Sequence, residues 1–208
     1  MKKILIYIKS DGWKNSIRMI IKSILYKIYY QTCTNFYVME KKDKRFQNEN
    51  NSDDLIVREL NVEEVASLDF PRLKLLDYEK WLNNGSHLYV SFLKGNPVGF
   101  VWTHQNNYYI HDLGTFILNK NEYWSGPTFV YHTLRGRGIN KNQKLFQLNH
   151  LPNNSIIFTS INEKNIPSIR SNVRYGFRQI GCINTKIIFG KKKNKIEGSL
   201  LKERLALL

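Results

Sequence analysis

The chain is short of cysteine, of alanine, of long apolar runs and of negative charge, and each shortage excludes something. Two cysteines in 208 residues, Cys33 and Cys182, make neither a disulfide framework nor a tetrahedral zinc site, which fits a reducing compartment. The five histidines fall at no metal-ligand spacing, so no metal is expected. No stretch approaches the roughly 20 apolar residues of a membrane-spanning helix. The opening MKKILIYIK has five consecutive apolar residues, below the roughly 7–15 of a signal peptide. A cytoplasmic protein is the expectation. Alanine occurs only at Ala66 and Ala206, beside abundant Lys, Asn and Ile, a bias that can by itself raise the basic content.

Carboxylates are the remaining scarcity: 17 acidic against 32 basic side chains give a formal charge of +15. That excess is regional. Residues 1–53 carry 11 basic and 5 acidic side chains, residues 54–130 carry 6 and 9, and residues 131–208 carry 15 and 3. Composition bias therefore explains only part of it, and an anionic ligand, nucleic acid or lipid surface accounts for the rest. With 42% hydrophobic residues the chain can build a core, and its length suits one domain with an appendage.

Three regions follow. In 1–53, residues 13–31 carry Ile17, Ile20, Ile24 and Ile28 at helical spacing, with Lys14, Arg18, Lys22 and Lys27 largely opposite, as in a basic amphipathic helix. It would lie on an anionic membrane surface, or pack on its own domain or a partner subunit, a homodimer included. Polar RFQNENNSDD (45–54) reads as a linker. Region 54–190 reads as the main domain. It opens with a strand at 55–60 and a helix capped by Asn61 with Glu64 three residues on; a second helix is expected to start at Asp69 or Pro71 and stop at Asn84-Gly85. HLYVSFLKGNPVGFVWTH (87–104) is a hairpin signal, with further strands at 108–118, 127–132 and 155–161, a helix at 166–175 and a strand within 178–190. Residues 191–208 read as a C-terminal tail, helical in its Leu-rich part, with KKKNK (191–195) a solvated turn. Interleaved strands and helices give an α/β or α+β class around one mostly antiparallel sheet.

TLRGRGINK (133–141) carries the chemistry. PTFVYHT before it reads as a strand, and NKNQKLFQL behind it as a helix with Leu145 and Leu148 on one side. Strand, glycine loop and helix aim several backbone N–H groups and the positive end of a helix at one point, which attracts phosphate. Arg135, Arg137 and Lys141 add mobile positive charge there. The dinucleotide and P-loop patterns both fail at this site.

Arg135-Gly136-Arg137-Gly138-Ile139-Asn140 resembles the pyrophosphate loop [RQ]-x-x-G-x-[GA] of the GCN5-related N-acetyltransferases (GNAT) up to its last position. GNPVGF (95–100) is similar to that family's second-to-third strand hairpin. NIPSIRSNVRYGF (165–177) is similar to its N-x-x-[AS]…G-F segment, through Asn165, Ser168, Gly176 and Phe177. The resemblance spans about 55–190. It implies a mixed sheet whose two adjacent parallel strands splay, with acetyl-CoA as co-substrate in the gap. It places the pantetheine at the N–H groups of Val130 and Tyr131, the pyrophosphate at those of 136–141, and Asn165, Ser168 and Asn172 beside the cofactor. The implied reaction is direct attack of an amine on the thioester in a ternary complex. Many relatives protonate the leaving thiolate with a tyrosine, but the matching position here is Asn172, which cannot act as a general acid near neutrality. Tyr175 would substitute from the next turn unless it is a packed core residue, or solvent would, or efficient transfer is lost. Glu122 ranks first as general base, ahead of His132, His111 and Asp112. An amino sugar acceptor in surface-polysaccharide assembly, at the inner face of a membrane, heads the readings. A tRNA or protein acceptor and a degenerate CoA-binding scaffold stand behind it.

Overall fold

The computed structural model describes residues 29–42 and 54–207. The amphipathic segment lies outside these residues except for 29–31, and those three are not helical. Tyr29–Glu40 is a strand, β1. The chain continues through β2 (Leu55–Glu59), α1 (Val62–Ser67), α2 (Tyr78–Asn83), β3 (His87–Leu93), β4 (Asn96–His104), β5 (Tyr108–Ile110), β6 (Gly114–Phe116) and β7 (Glu122–Val130). It ends with α3 (Ile139–His150), β8 (Ile156–Asn162), α4 (Ile166–Arg174), β9 (Arg178–Ile188), β10 (Lys191–Glu197), α5 (Ser199–Arg204) and β11 (Leu205–Leu207).

Eight strands form one sheet in the order β10-β9-β1-β8-β7-β4-β3-β2, and β11-β6-β5 form a small second sheet. Every neighbour in the large sheet is antiparallel except β7 beside β8. The mixed, mostly antiparallel class expected from the sequence is thus observed, with three local corrections. First, β1 pairs with β8 on one side and β9 on the other, so part of the segment read as an extension is an interior strand. Second, 191–197 is an edge strand on β9, and its lysines suit an edge that must not recruit another chain. Third, the second helix starts only after Asp77, because the preceding turn drives Phe70 and Leu73 fully into the core instead. The capping box is formed as expected: Glu64 N–H donates to Asn61 Oδ1 and Asn61 N–H to Glu64 Oε2, both at 2.9 Å.

Side-chain alternation sorts the sheet into two faces. Leu88, Val90, Phe100 and Trp102 pack under α1 and α2, with Trp81 edge-on to Trp102 at 5.0 Å. On the other face Tyr89 meets Phe146 of α3 at 5.5 Å. Farther along, Tyr123, Ile157 and Ile161 pack with Leu148 of α3 and with Phe177, whereas Trp124 and Phe158 face Phe116 and Leu201.

His104 is locked at the sheet's centre. Its Nδ1 lies 2.8 Å from Ser86 Oγ and its Nε2 2.9 Å from Gly126 O, an acceptor, so Nε2 carries a proton and the Ser86 hydroxyl can donate to Nδ1 of the neutral ring. Burial lowers its pKa from 6.5 to about 4. The fold therefore disfavours the charged ring, and stability present above pH 6.5 is lost as pH falls towards 4, by about 3 kcal/mol in all. Carboxylates titrate in the same range, so the measurement is the difference between wild type and His104→Asn in urea titrations at pH 7 and pH 4. The gap between them should narrow in acid, and a constant gap would refute the assignment.

Candidate active site

β7 and β8 pair over three residues only, Glu122 to Trp124 against Ile156 to Phe158. Beyond them the strands part. Pro127 has no N–H to give to a ladder, and the last link across the gap is a side chain, Thr159 Oγ1 donating to Ser125 O at 2.8 Å. A cleft of about 750 Å³ occupies the opening. On the α3 side it is lined by Gly136, Gly138, Asn140 and Asn172, and on the opposite side by Tyr108, Ile110 and His111. Residues from both sides of the sheet thus line one cleft where the strands part.

The glycine loop lines the α3 side of the cleft. Gly136 and Gly138 have φ of +83° and +78°, the left-handed region, and a Cβ on either would meet open space. Gly138 caps α3, whose ladder begins with Asn142 N–H donating to Gly138 O at 3.0 Å. The N–H groups of Ile139 and Asn140 precede that bond, at the positive end of a 12-residue helix. Asn140, the departure from the loop pattern, lies within the helix and needs no unusual backbone angle.

Most residues singled out in the sequence converge here. Val130, Arg135, Gly136, Gly138, Ile139, Asn140, Lys141, Asn165, Ser168 and Asn172 all line the cleft. Asn165 caps α4 by accepting from Ser168 N–H, and Asn172 Nδ2 donates to Ser168 O at 2.9 Å. Asn172 Oδ1 is buried without a partner, a group still waiting for a donor.

Four residues are placed elsewhere. The Tyr131 N–H donates to Val98 O at 3.1 Å, within the sheet, and Arg137 is exposed outside the cleft. Tyr175 ends α4 half-buried against the core of Tyr37, Leu148 and Phe177, and burial raises its pKa. Glu122 sits at the closed end of β7. Its Oε1 accepts from Arg204 Nη2 at 2.9 Å and its Oε2 from Asn119 N–H at 2.7 Å, so the carboxylate is bound up in the fold and does not reach the cleft. Of the lesser candidates, His132 begins a short turn outside the cleft. His111 lines it, with Nδ1 2.9 Å from Asp112 Oδ2 and the side chain largely exposed.

One group at the centre escaped the sequence reading. Lys144 of α3 is buried where the strands part, its Nζ donating to Ser125 Oγ at 2.7 Å and Gln147 Oε1 at 3.2 Å. Gln147 is itself buried, accepts from Ser125 Oγ at 2.9 Å, and donates to Trp102 O and Thr103 Oγ1 at 2.9 and 2.7 Å. Among the described residues Lys144 has no carboxylate partner, and burial lowers its pKa from 10.5 to about 7. The available signal was the inward row of α3: Ile139, Gln143 and Gln147 repeat every four residues, so polar side chains occupy positions that a purely structural helix would give to Leu or Ala.

No protein-family model and no curated protein matches the chain. Solved structures do. The fold is similar to that of a functionally unknown conserved protein from Staphylococcus epidermidis, at 11% identity and TM-score 0.50, with 79% of this chain and 64% of that one covered. A Drosophila protein gives 12% identity and TM-score 0.50, covering 88% and 59%. A GCN5-related N-acetyltransferase from Sphaerobacter thermophilus gives 16% and 0.47, covering 91% and 59%. In each case the chain spans less than two thirds of the other protein. Such distant likenesses speak to fold alone. The fold and the cleft define an α+β domain with a helix-capping glycine loop over splayed parallel strands. That architecture is the one implied by the sequence resemblance of 95–100, 135–140 and 165–177 to the GCN5-related N-acetyltransferases.

Proposed function

We propose that this protein is an acetyl-CoA-dependent N-acetyltransferase that acts on a small amine by direct attack in a ternary complex. The observation that carries the reading is the cleft between the parted strands with the glycine loop along one side. The residues fit the co-substrate: two left-handed glycines open a cradle for a diphosphate, Arg135 and Lys141 supply charge, and Asn172 Oδ1 lacks a donor. Bound there, acetyl-CoA supplies an activated thioester carbonyl.

The chain's own groups do the rest. The loop amides and Arg135 bind and orient the donor, while the splay keeps the reacting carbon away from bulk water. On the opposite side the acceptor meets Tyr108, stacked on Trp124 at 5.0 Å, and the His111 imidazole, a group able to take a proton from an incoming ammonium. Flat aromatic surface beside a polar rim suits a sugar ring, which supports an amino sugar as acceptor. The basic N-terminal region, with 11 basic against 5 acidic side chains, would hold the enzyme near an anionic membrane face.

Titration calorimetry with acetyl-CoA should give a Kd below about 100 µM, roughly 5.5 kcal/mol of affinity, and amino sugars should release CoASH. No binding at that concentration overturns the reading. A second reading, a CoA-binding scaffold without transfer, is favoured by Asn172 in place of the tyrosine and by Tyr175 lying outside the cleft. It predicts acetyl-CoA binding with no CoASH release for any amine.

A further inference from the structure

We infer that Lys144 is the proton donor to the departing thiolate, in the role left empty by Asn172. The inference rests on the acetyltransferase reading above. Lys144 and Asn172 both line the cleft, Lys144 beside Ser125 at the point where the strands part. Among the other described candidates, Tyr175 lies outside the cleft, His111 lines its opposite side, and Lys141 and Arg135 stand at the glycine loop.

The described groups against Lys144 are Ser125 of β7, Gln147 of its own helix and the Phe177 ring at 5.2 Å, with Thr159 of β8, Arg135 and Lys141 lining the same cleft. None is a carboxylate, so two neutral hydrogen bonds and the Phe177 ring offset only part of the cost of burying the ammonium. That cost is what makes it an acid. An ordinary lysine, at about 10.4, is a weaker acid than a thiol at about 8.5, and would hand over its proton uphill. At about 7 the transfer runs downhill.

The step balances. A neutral amine nitrogen bonds to the carbonyl carbon and the C–S bond breaks. The electron pair left on sulfur takes a proton from Lys144 Nζ, which becomes a neutral amine. The nitrogen of the new amide releases its extra proton to solvent, and Lys144 regains one from solvent.

The test joins turnover to a readout that needs no substrate. In protein labelled with 13C at the lysine Cε, the signal absent from Lys144→Met should titrate near pH 7 without ligand. A midpoint at about 10, the ordinary lysine value, overturns the inference. In turnover, the wild type should lose kcat as pH rises through about 7 to 8. Lys144→Met should lack that limb, with kcat down about 100- to 1000-fold and KM little changed. The defect should shrink with an acetyl donor whose leaving group is an aryl thiol, which needs no acid. Lys144→Arg keeps the charge and the donor but is too weak an acid, so full activity in it overturns the inference. Absence of CoASH release by the wild type overturns the acetyltransferase reading and this inference with it. Turnover with an unaltered pH profile in Lys144→Met overturns this inference alone.

Discussion

Glutamate at Gly138 is expected to weaken acetyl-CoA binding by at least about 100-fold, roughly 2.7 kcal/mol. Two effects act there and can be separated. The left-handed backbone, φ +78°, penalises any side chain by about 1–2 kcal/mol, which appears as lost stability. The carboxylate adds repulsion: two unit charges 5 Å apart interact by about 3 kcal/mol at an effective dielectric constant of 20. Gly138→Ala carries the strain without the charge, and its Cβ meets nothing within 4 Å. It should melt earlier than wild type yet bind within about tenfold of it. Calorimetry and thermal denaturation on both variants decide the matter. Wild-type affinity in Gly138→Glu would mean that the loop holds no phosphate, and the proposed activity would lose its base.

The second large effect falls on stability. Glu122→Ala removes the partner of Arg204, whose side chain is 16% exposed against 6% for Glu122. An ion pair buried this deeply contributes little by itself, but a buried charge left alone costs about 3–5 kcal/mol. Arg204 Nε is already buried without a partner, so the loss of Glu122 leaves the guanidinium still less satisfied. The variant should lose that much in urea unfolding while kcat per folded molecule stays within about threefold. A large drop in kcat at unchanged stability would restore Glu122 as the base and show that its carboxylate reaches the substrate.

The contrast between these two residues shows how much of the site was legible. The loop could be read because its requirement is local: glycine at two left-handed positions, arginine beside them and a helix behind are all encoded within nine residues. The same holds for the Asn61 cap and the hairpin at 94–97, where neighbouring residues settle the backbone among themselves. Glu122 was misplaced because a carboxylate's task depends on its neighbour. Arg204 lies 82 residues away, on the helix that follows the last strand of the large sheet. Tyr175 turned inward for a similar reason, since the core it joins is assembled from β1, α3 and β8.

Local chemistry in the sequence determined the phosphate loop, the caps, the alternation of the strands and the mixed α+β class. Tertiary structure alone decided that residues 29–40 divide β8 from β9, that the parted strands open a cleft, and that Lys144 is buried beside it with no carboxylate partner among the described residues. Backbone preferences act over a few bonds and are written where they act. Burial and pairing are made by segments far apart in the chain, and an acid of unusual strength arises only once they close around it.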